Sequence, residues 1–313
     1  MKGMELSREY FEIYGMPMLK EQFPEQLPFI AAGLFGSGSE CFGYDDQVSR
    51  DHDFEPGFCL MLPGEDVIDR KTAFQMERAY AKLPSEFRGY KRNSISPVGG
   101  SRHGVIRTAD FLMDKTGTED GELTAEQWMR VPEYSLAEAV NGSIFFDGPR
   151  WLSAVREKLR FYPSDIMKKK LAGNLLLMAQ SGQYNYMRCV SRAEGAAAQL
   201  AVFEFVKSTI EVIFLLNRKY QPYYKWSFRA LRGLPKLALL AELLEYLMTT
   251  DNEESMTQEK YTVIESIAAD ITDELMQQNL TRAICTDLEK HAYSVNDMIA
   301  DPQLRNLHIL AAV

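Results

Sequence analysis

The spacing of apolar residues changes character about halfway along the chain. Residues 5–24 mix apolar and charged side chains at helical intervals and stop near Pro24, which predicts a helix. Phe29-Ile30-Ala31-Ala32-Gly33-Leu34-Phe35 is a short unbroken apolar run, the length of a buried strand. Phe58-Cys59-Leu60-Met61-Leu62, closed by Pro63-Gly64, reads as a second. A helix is expected over 65–83, a third strand at Val105-Ile106-Arg107-Thr108, and a fourth at Gly142-Ser143-Ile144-Phe145-Phe146, ending in the turn formers Asp147-Gly148. From Trp151 onward the runs lengthen to helical stretches punctuated by Pro163, Pro222 and Pro235, with almost nothing of strand character. The pattern predicts an α/β domain over 1–150, a small mixed sheet with flanking helices, and an all-α helical bundle over 151–313.

Composition narrows the class. The chain has 313 residues, enough for two domains that each bury a core, and 46% hydrophobic with 25% charged residues marks a folded globular protein. A net charge of −9 argues against an extended nucleic-acid footprint, which needs clustered Lys and Arg. The cysteines Cys41, Cys59, Cys189 and Cys285 show no C-x-x-C spacing, so neither a zinc site nor a disulfide framework is expected. Met1-Lys2-Gly3-Met4-Glu5 lacks the features of a secretory signal. The most apolar stretch, Ala196 to Leu216, is interrupted by Glu204, Lys207 and Glu211, so it is expected to be a buried helix and not a membrane span. A cytoplasmic protein is expected. The run Lys168-Lys169-Lys170 reads as a solvated helix face.

The segment from Gly36 to Asp53 carries the candidate chemistry. Gly36-Ser37-Gly38-Ser39 follows a buried strand directly, where small residues let backbone N–H groups approach an anion and a helix starting there would add its positive end. Asp51 and Asp53 alternate at the start of the next strand and so project to one face. Such a pair suits Mg2+, which prefers oxygen ligands and is usually shared between one or two carboxylates and substrate phosphates. His52 would point away from that face. Competing templates are missing: the sequence has no G-x-x-x-x-G-K-[ST] loop, no H-E-x-x-H and no G-x-S-x-G.

Gly38-Ser39 with Gly43, Ser49, Asp51 and Asp53 resembles the signature of nucleotidyltransferases of the DNA polymerase beta superfamily, a Gly-Ser pair followed by Asp-x-Asp, at slightly longer spacing. Gly36-Ser37 offers a second register. Phe214 to Trp226 is similar to the helical domain that accompanies this module in antibiotic-modifying nucleotidyltransferases, and the whole chain resembles an uncharacterised bacterial two-domain family. The resemblance implies Mg2+-dependent transfer of a nucleoside monophosphate, from ATP first among the triphosphates, to a hydroxyl on a small molecule or protein, with release of pyrophosphate. Asp51 and Asp53 would ligate the metal.

The family usually adds a third carboxylate from a later strand, where this chain offers Ile106 and Arg107. Asp110 is the nearest alternative metal ligand, although an acid there also suits a first helical turn. Asp147 follows a strand, but Asp-Gly is first a turn former. On the helix from Gln199 to Lys219, Glu204, Lys207, Glu211 and Arg218 form a narrow polar stripe. It is either a cleft wall, in which Glu204 or Glu211 takes the acceptor's proton, or a helix edge in water. Lys225 is a candidate for the triphosphate, and Tyr223, Tyr224 and Trp226 for packing between helices or for stacking a base. Expected partners are thus a nucleoside triphosphate and an unidentified hydroxyl acceptor, at most a second copy of the chain in a homodimer, and neither nucleic acid nor membrane. The alternative is a catalytically degenerate module that binds nucleotide or another protein.

Overall fold

In the computed structural model, which describes residues 1–48, 54–92 and 103–313, the chain opens with α1 (Gly3–Tyr10) and α2 (Met16–Gln22), joined by a π-helical turn at Phe11–Gly15. Pro17 has no N–H to offer the carbonyl one turn earlier, and the helix widens just ahead of it. Next come β1 (Ala31–Leu34), a 3-10 turn at Glu40–Phe42, β2 (Cys59–Leu62), α3 (Arg70–Ala81), β3 (Glu86–Phe87), β4 (Tyr90–Lys91), β5 (Gly104–Arg107), α4 (Thr108–Thr116), α5 (Ala125–Arg130), α6 (Glu133–Val140), β6 (Ser143–Asp147) and α7 (Trp151–Lys158).

The four expected strands form one mixed sheet in the order β5-β2-β1-β6. β1 is antiparallel to β2 and β6, while β2 is parallel to β5. Both faces are covered. Ala32, Leu60 and Leu62 pack with Leu6, Tyr10, Leu19, Met76 and Tyr80, and on the other face Ala31, Cys59 and Met61 pack with Phe35 and Leu152. Burial on both faces is why β1 and β2 read as unbroken apolar runs and not as alternating ones. The small β3–β4 hairpin, which the apolar pattern did not announce, pairs Phe87 with Tyr90.

Beyond α7 the described chain is helical: α8 (Ser164–Met178), a π-helical turn (Ala179–Asn185), α9 (Tyr186–Val190), α10 (Gly195–Leu216), α11 (Tyr224–Leu231), α12 (Leu240–Thr249), α13 (Glu254–Gln277), α14 (Leu288–Asp297) and α15 (Pro302–Asn306). α10 is the stretch expected to be a buried helix, and it packs on α8, α9 and α12. No helix among the described residues is long and apolar enough to cross a membrane.

Contacts divide the chain into two compact units, Met1–Thr124 with Ser135–Arg160, and Ala125–Tyr134 with Phe161–Val313. Where the sequence suggests a single break after residue 150, the chain passes between units at 124/125, 134/135 and 160/161. The physical reason lies in α5: Trp128 is buried edge-on against Tyr162, at 5.9 Å between ring centres, which ties this short helix to the second unit.

The run Lys168-Lys169-Lys170 corrects its sequence reading. Lys169 is fully buried, and its ammonium donates to Asn296 Oδ1 at 2.9 Å and to the carbonyls of Leu307 at 2.7 Å and Arg305 at 3.4 Å. Lys168 donates to Met298 O and Lys170 to Ala312 O. These ammonium groups satisfy carbonyls of the C-terminal segment that leave no regular ladder, so the run faces protein and not water.

Candidate functional site

The turn after β1 is shaped by glycine and held from a distance. Gly36 and Gly38 adopt φ of +97° and +130°, a region that L side chains rarely enter. The peptide of Gly36 is paired twice with the Asn141 amide: Gly36 N donates to Oδ1 and Asn141 Nδ2 donates to Gly36 O, both at 2.8 Å. Gly142 N then donates to Cys41 O at 2.9 Å. A Cβ on Gly142 would lie 2.0 Å from Leu34 O, so only glycine allows this close approach. The helical element that follows the turn is a single 3-10 turn of three residues, Glu40–Phe42, which is too short to supply an appreciable N-terminal dipole.

Positive charge at this turn comes from side chains instead. Lys115, near the end of α4, places its ammonium 3.3 Å from Ser37 Oγ and 2.8 Å from Glu138 Oε2, and Ser37 Oγ donates to that same oxygen at 2.8 Å. Asp114 Oδ2 is a further 2.8 Å partner. Burial pulls the Lys115 ammonium down, but hydrogen bonds to Asp114 and Glu138 outweigh it and hold the pKa above the ordinary lysine value. Arg156 donates to Asn141 O and lies over the Phe35 ring, 5.2 Å from its centre. Burial lowers its pKa to about 10. These residues escape sequence reading because each is a single unremarkable side chain on a different element. Only the fold gathers them.

Sheet topology sets which strand ends lie together beside the turn. β1 ends, and β2 begins, at one and the same end of the sheet, since Gly33 pairs with Cys59 and Ala31 with Met61. β5 also starts there, with Gly104 opposite Cys59. Asp51, His52 and Asp53 lie outside the described residues. Two residues beyond Asp53, Glu55 Oε1 accepts from His103 Nδ1 at 3.0 Å, joining the approaches to β2 and β5. The alternation Asp51, Asp53, Glu55 was a legible signal for that carboxylate.

The two other acids considered for a third ligand fall elsewhere. Asp110 is exposed in the first turn of α4, beyond Arg107, which marks the sheet end opposite the Gly-Ser turn. Asp147 pairs with Ala31 at that same far end, and its carboxylate accepts from Ser153 N and Ser153 Oγ at 2.8 and 2.5 Å. β5 itself carries no carboxylate.

In the second unit, Glu204 and Glu211 are half-buried on α10 and Lys207 is exposed. Glu211 sits in the field of Glu133 and Lys170. Burial, then the charge of Glu211, raises the Glu133 carboxyl to about 8, against a weaker lowering by the Gln221 backbone hydrogen bond and Lys170. Lys170 is held below the usual lysine value by burial. Lys225 is exposed on α11, with its ammonium 5.3 Å from the centre of the Trp226 ring. Tyr223 and Tyr224 contact each other at 4.5 Å and are both exposed, and Tyr223 also packs edge-on against Tyr134 of α6 at 5.6 Å, which is the packing between helices expected for it.

Residues 128–227 match a family described as a domain of unknown function, DUF4037. A comparison with curated proteins gives no match. Among solved structures, the chain is similar to a nucleotidyltransferase-like protein from Exiguobacterium sibiricum, at 12% identity over 90% of this chain and 89% of that one, with a TM-score of 0.35.

Proposed function

We propose that the protein is a Mg2+-dependent nucleotidyltransferase that moves a nucleoside monophosphate from a triphosphate, ATP in the first instance, to a hydroxyl on a small molecule or protein. The observation that carries this reading is the shared sheet end. The glycine-shaped turn after β1 and the segment leading into β2 meet there, with Lys115 and Arg156 beside the turn.

In this reading the acceptor oxygen bonds to the α-phosphorus as the bond to the bridging oxygen breaks, and pyrophosphate leaves with that electron pair. The hydroxyl proton passes to a carboxylate, for which Glu204 and Glu211 are the proposed residues. The turn and its cations receive phosphate oxygens. Asp51 and Asp53 would hold the magnesium ion, which neutralises charge on the phosphoryl oxygens and lowers the pKa of the attacking hydroxyl. Their hard oxygen donors fit that ion. In this reading phosphate oxygens would complete the donor set.

The test is calorimetry with each triphosphate, with and without magnesium, followed by detection of pyrophosphate. Asp51→Asn with Asp53→Asn should abolish metal-dependent binding and leave thermal stability unchanged or higher, because two close carboxylates repel without a metal. Binding that survives the double change would overturn the ligand assignment. A second reading, a module that binds nucleotide without turnover, is favoured by the lack of a carboxylate on β5; magnesium-dependent binding without pyrophosphate release across a broad acceptor screen would select it.

A further inference from the structure

We propose that Lys115 is a phosphate-binding cation of the turn after β1, and that Glu138 is the internal anion it exchanges for the γ- or β-phosphate of the incoming nucleotide. This rests on the nucleotidyltransferase reading and extends it to residues that no sequence signature marks.

Three features of the geometry support the exchange. Lys115 reaches the turn itself: its ammonium lies 3.3 Å from Ser37 Oγ, and Ser37 is a small residue of the turn, so an oxyanion bound at that hydroxyl comes within reach of the ammonium. Glu138 Oε2 already occupies the position an oxyanion would take, accepting both from Ser37 Oγ and from Lys115 at 2.8 Å. The same carboxylate oxygen thus meets a hydroxyl and an ammonium, as a phosphate oxygen would. Finally, the pair is neither sealed nor free, with side-chain exposures of 13% for Lys115 and 14% for Glu138. A ligand can reach it, while partial burial keeps the ion pair stronger than a surface one.

The backbone around the exchange point is braced independently of it. Asn141 grips the Gly36 peptide on both sides, and Arg156 donates to the Asn141 carbonyl. Displacement of the Glu138 carboxylate therefore opens one face of the Lys115 ammonium without unfolding the turn, while the exposed Asp114 carboxylate stays at 2.8 Å as its other partner. Glu138 lies three residues before Asn141, so a segment about a hundred positions after the turn supplies both its brace and its resting anion.

The two partners should act in opposite directions on affinity, which a purely structural ion pair would not do. Magnesium-ATP is titrated by calorimetry into wild type, Lys115→Met, Lys115→Arg, Glu138→Gln and the Asp51→Asn/Asp53→Asn double variant, with thermal denaturation run on each. Lys115→Met should weaken binding about tenfold or more, Lys115→Arg should stay within about threefold of wild type, and Glu138→Gln should bind about threefold tighter even if its thermal transition falls. Inorganic tripolyphosphate, used as a competitor, should lose the same factor in Lys115→Met, since the cation meets phosphate and not base. Should Lys115→Met fail to fold, the rise in affinity for Glu138→Gln still decides. Equal affinity in Lys115→Met and wild type, or weakened binding in Glu138→Gln, overturns the exchange. If the aspartate variant loses metal-dependent binding while Lys115→Met does not, this inference fails alone; if wild type binds no triphosphate, the functional reading fails with it.

Discussion

Glu133 is the first residue of α6, and its carboxyl Oε1 is sealed from solvent with no hydrogen-bond partner among the described residues, although the residue as a whole is half-buried. An isolated buried carboxylate is costly, so the group keeps its proton, and burial first and Glu211 second push its pKa up to about 8. In an unfolded chain the same group titrates near ~4.3. Between those values the unfolded chain releases a proton that the folded one retains, so folding stability should fall as pH rises from about 4.3 towards 8 and level off above it. The slope from this residue is at most ~1.4 kcal/mol per pH unit, a few kcal/mol in all. Urea midpoints at pH 5, 6.5 and 8 for wild type and Glu133→Gln measure it: the variant should lose this part of the slope and be the more stable protein at pH 8. An unchanged slope would place the titration elsewhere. Nothing in the sequence distinguishes Glu133 from the chain's other acids, because its surroundings come from Gln221, Lys170 and Glu211, all distant along the chain.

At the scale of elements, the four strands of the mixed sheet were legible, while the small hairpin and several helices were not. β1 and β2 stood out because both of their faces are buried, which turns a strand into a plain apolar run. The short helices α5 and α6 and the two-residue strands of the β3–β4 hairpin carry too few residues for any period to emerge. α8 shows a different failure. Ile166, Met167, Leu171, Ala172, Leu175 and Leu176 surround this helix with buried apolar groups, a pattern that marks burial on every side, lysines included. The run of like charge is set among neighbours whose apolar pattern already marks burial. Lys169→Met should destabilise the protein by about 2 kcal/mol, since it leaves the Asn296 amide and the Arg305 and Leu307 carbonyls without their shared donor. Lys168→Met, which loses a partly exposed pair with Asp165 and a single hydrogen bond to Met298 O, should cost less, about 1 kcal/mol. Chemical denaturation of the two variants side by side tests the ranking; a reversal would mean that Lys169 contributes no more than a surface charge.

Across the whole molecule, the change of pattern near residue 150 falls near the 160/161 passage between the two compact units, while the ten residues 125–134 group with the second unit. A change of composition registers where one kind of element gives way to another, and α5 is a helix among helices and strands, so its allegiance leaves no trace in composition. Its side chains decide the matter: Trp128 is 7% exposed against Tyr162, Met129 O accepts from Lys170 Nζ at 3.4 Å, and Glu133 lies in the field of Glu211. A fragment cut at the sequence boundary, 151–313, therefore lacks an aromatic anchor of its own core and a carbonyl partner for Lys170. A second fragment, in which 125–134 is joined to 161–313 through a short Gly/Ser linker, restores both. The linked fragment should be the more stable by about 2–3 kcal/mol, the order expected from returning one large aromatic side chain to a core. Trp128→Ala should remove most of that advantage. Urea denaturation of the three polypeptides gives the comparison, and equal midpoints for the first two would show that α5 contributes nothing to the helical unit and that the single break suggested by the sequence is the physical one.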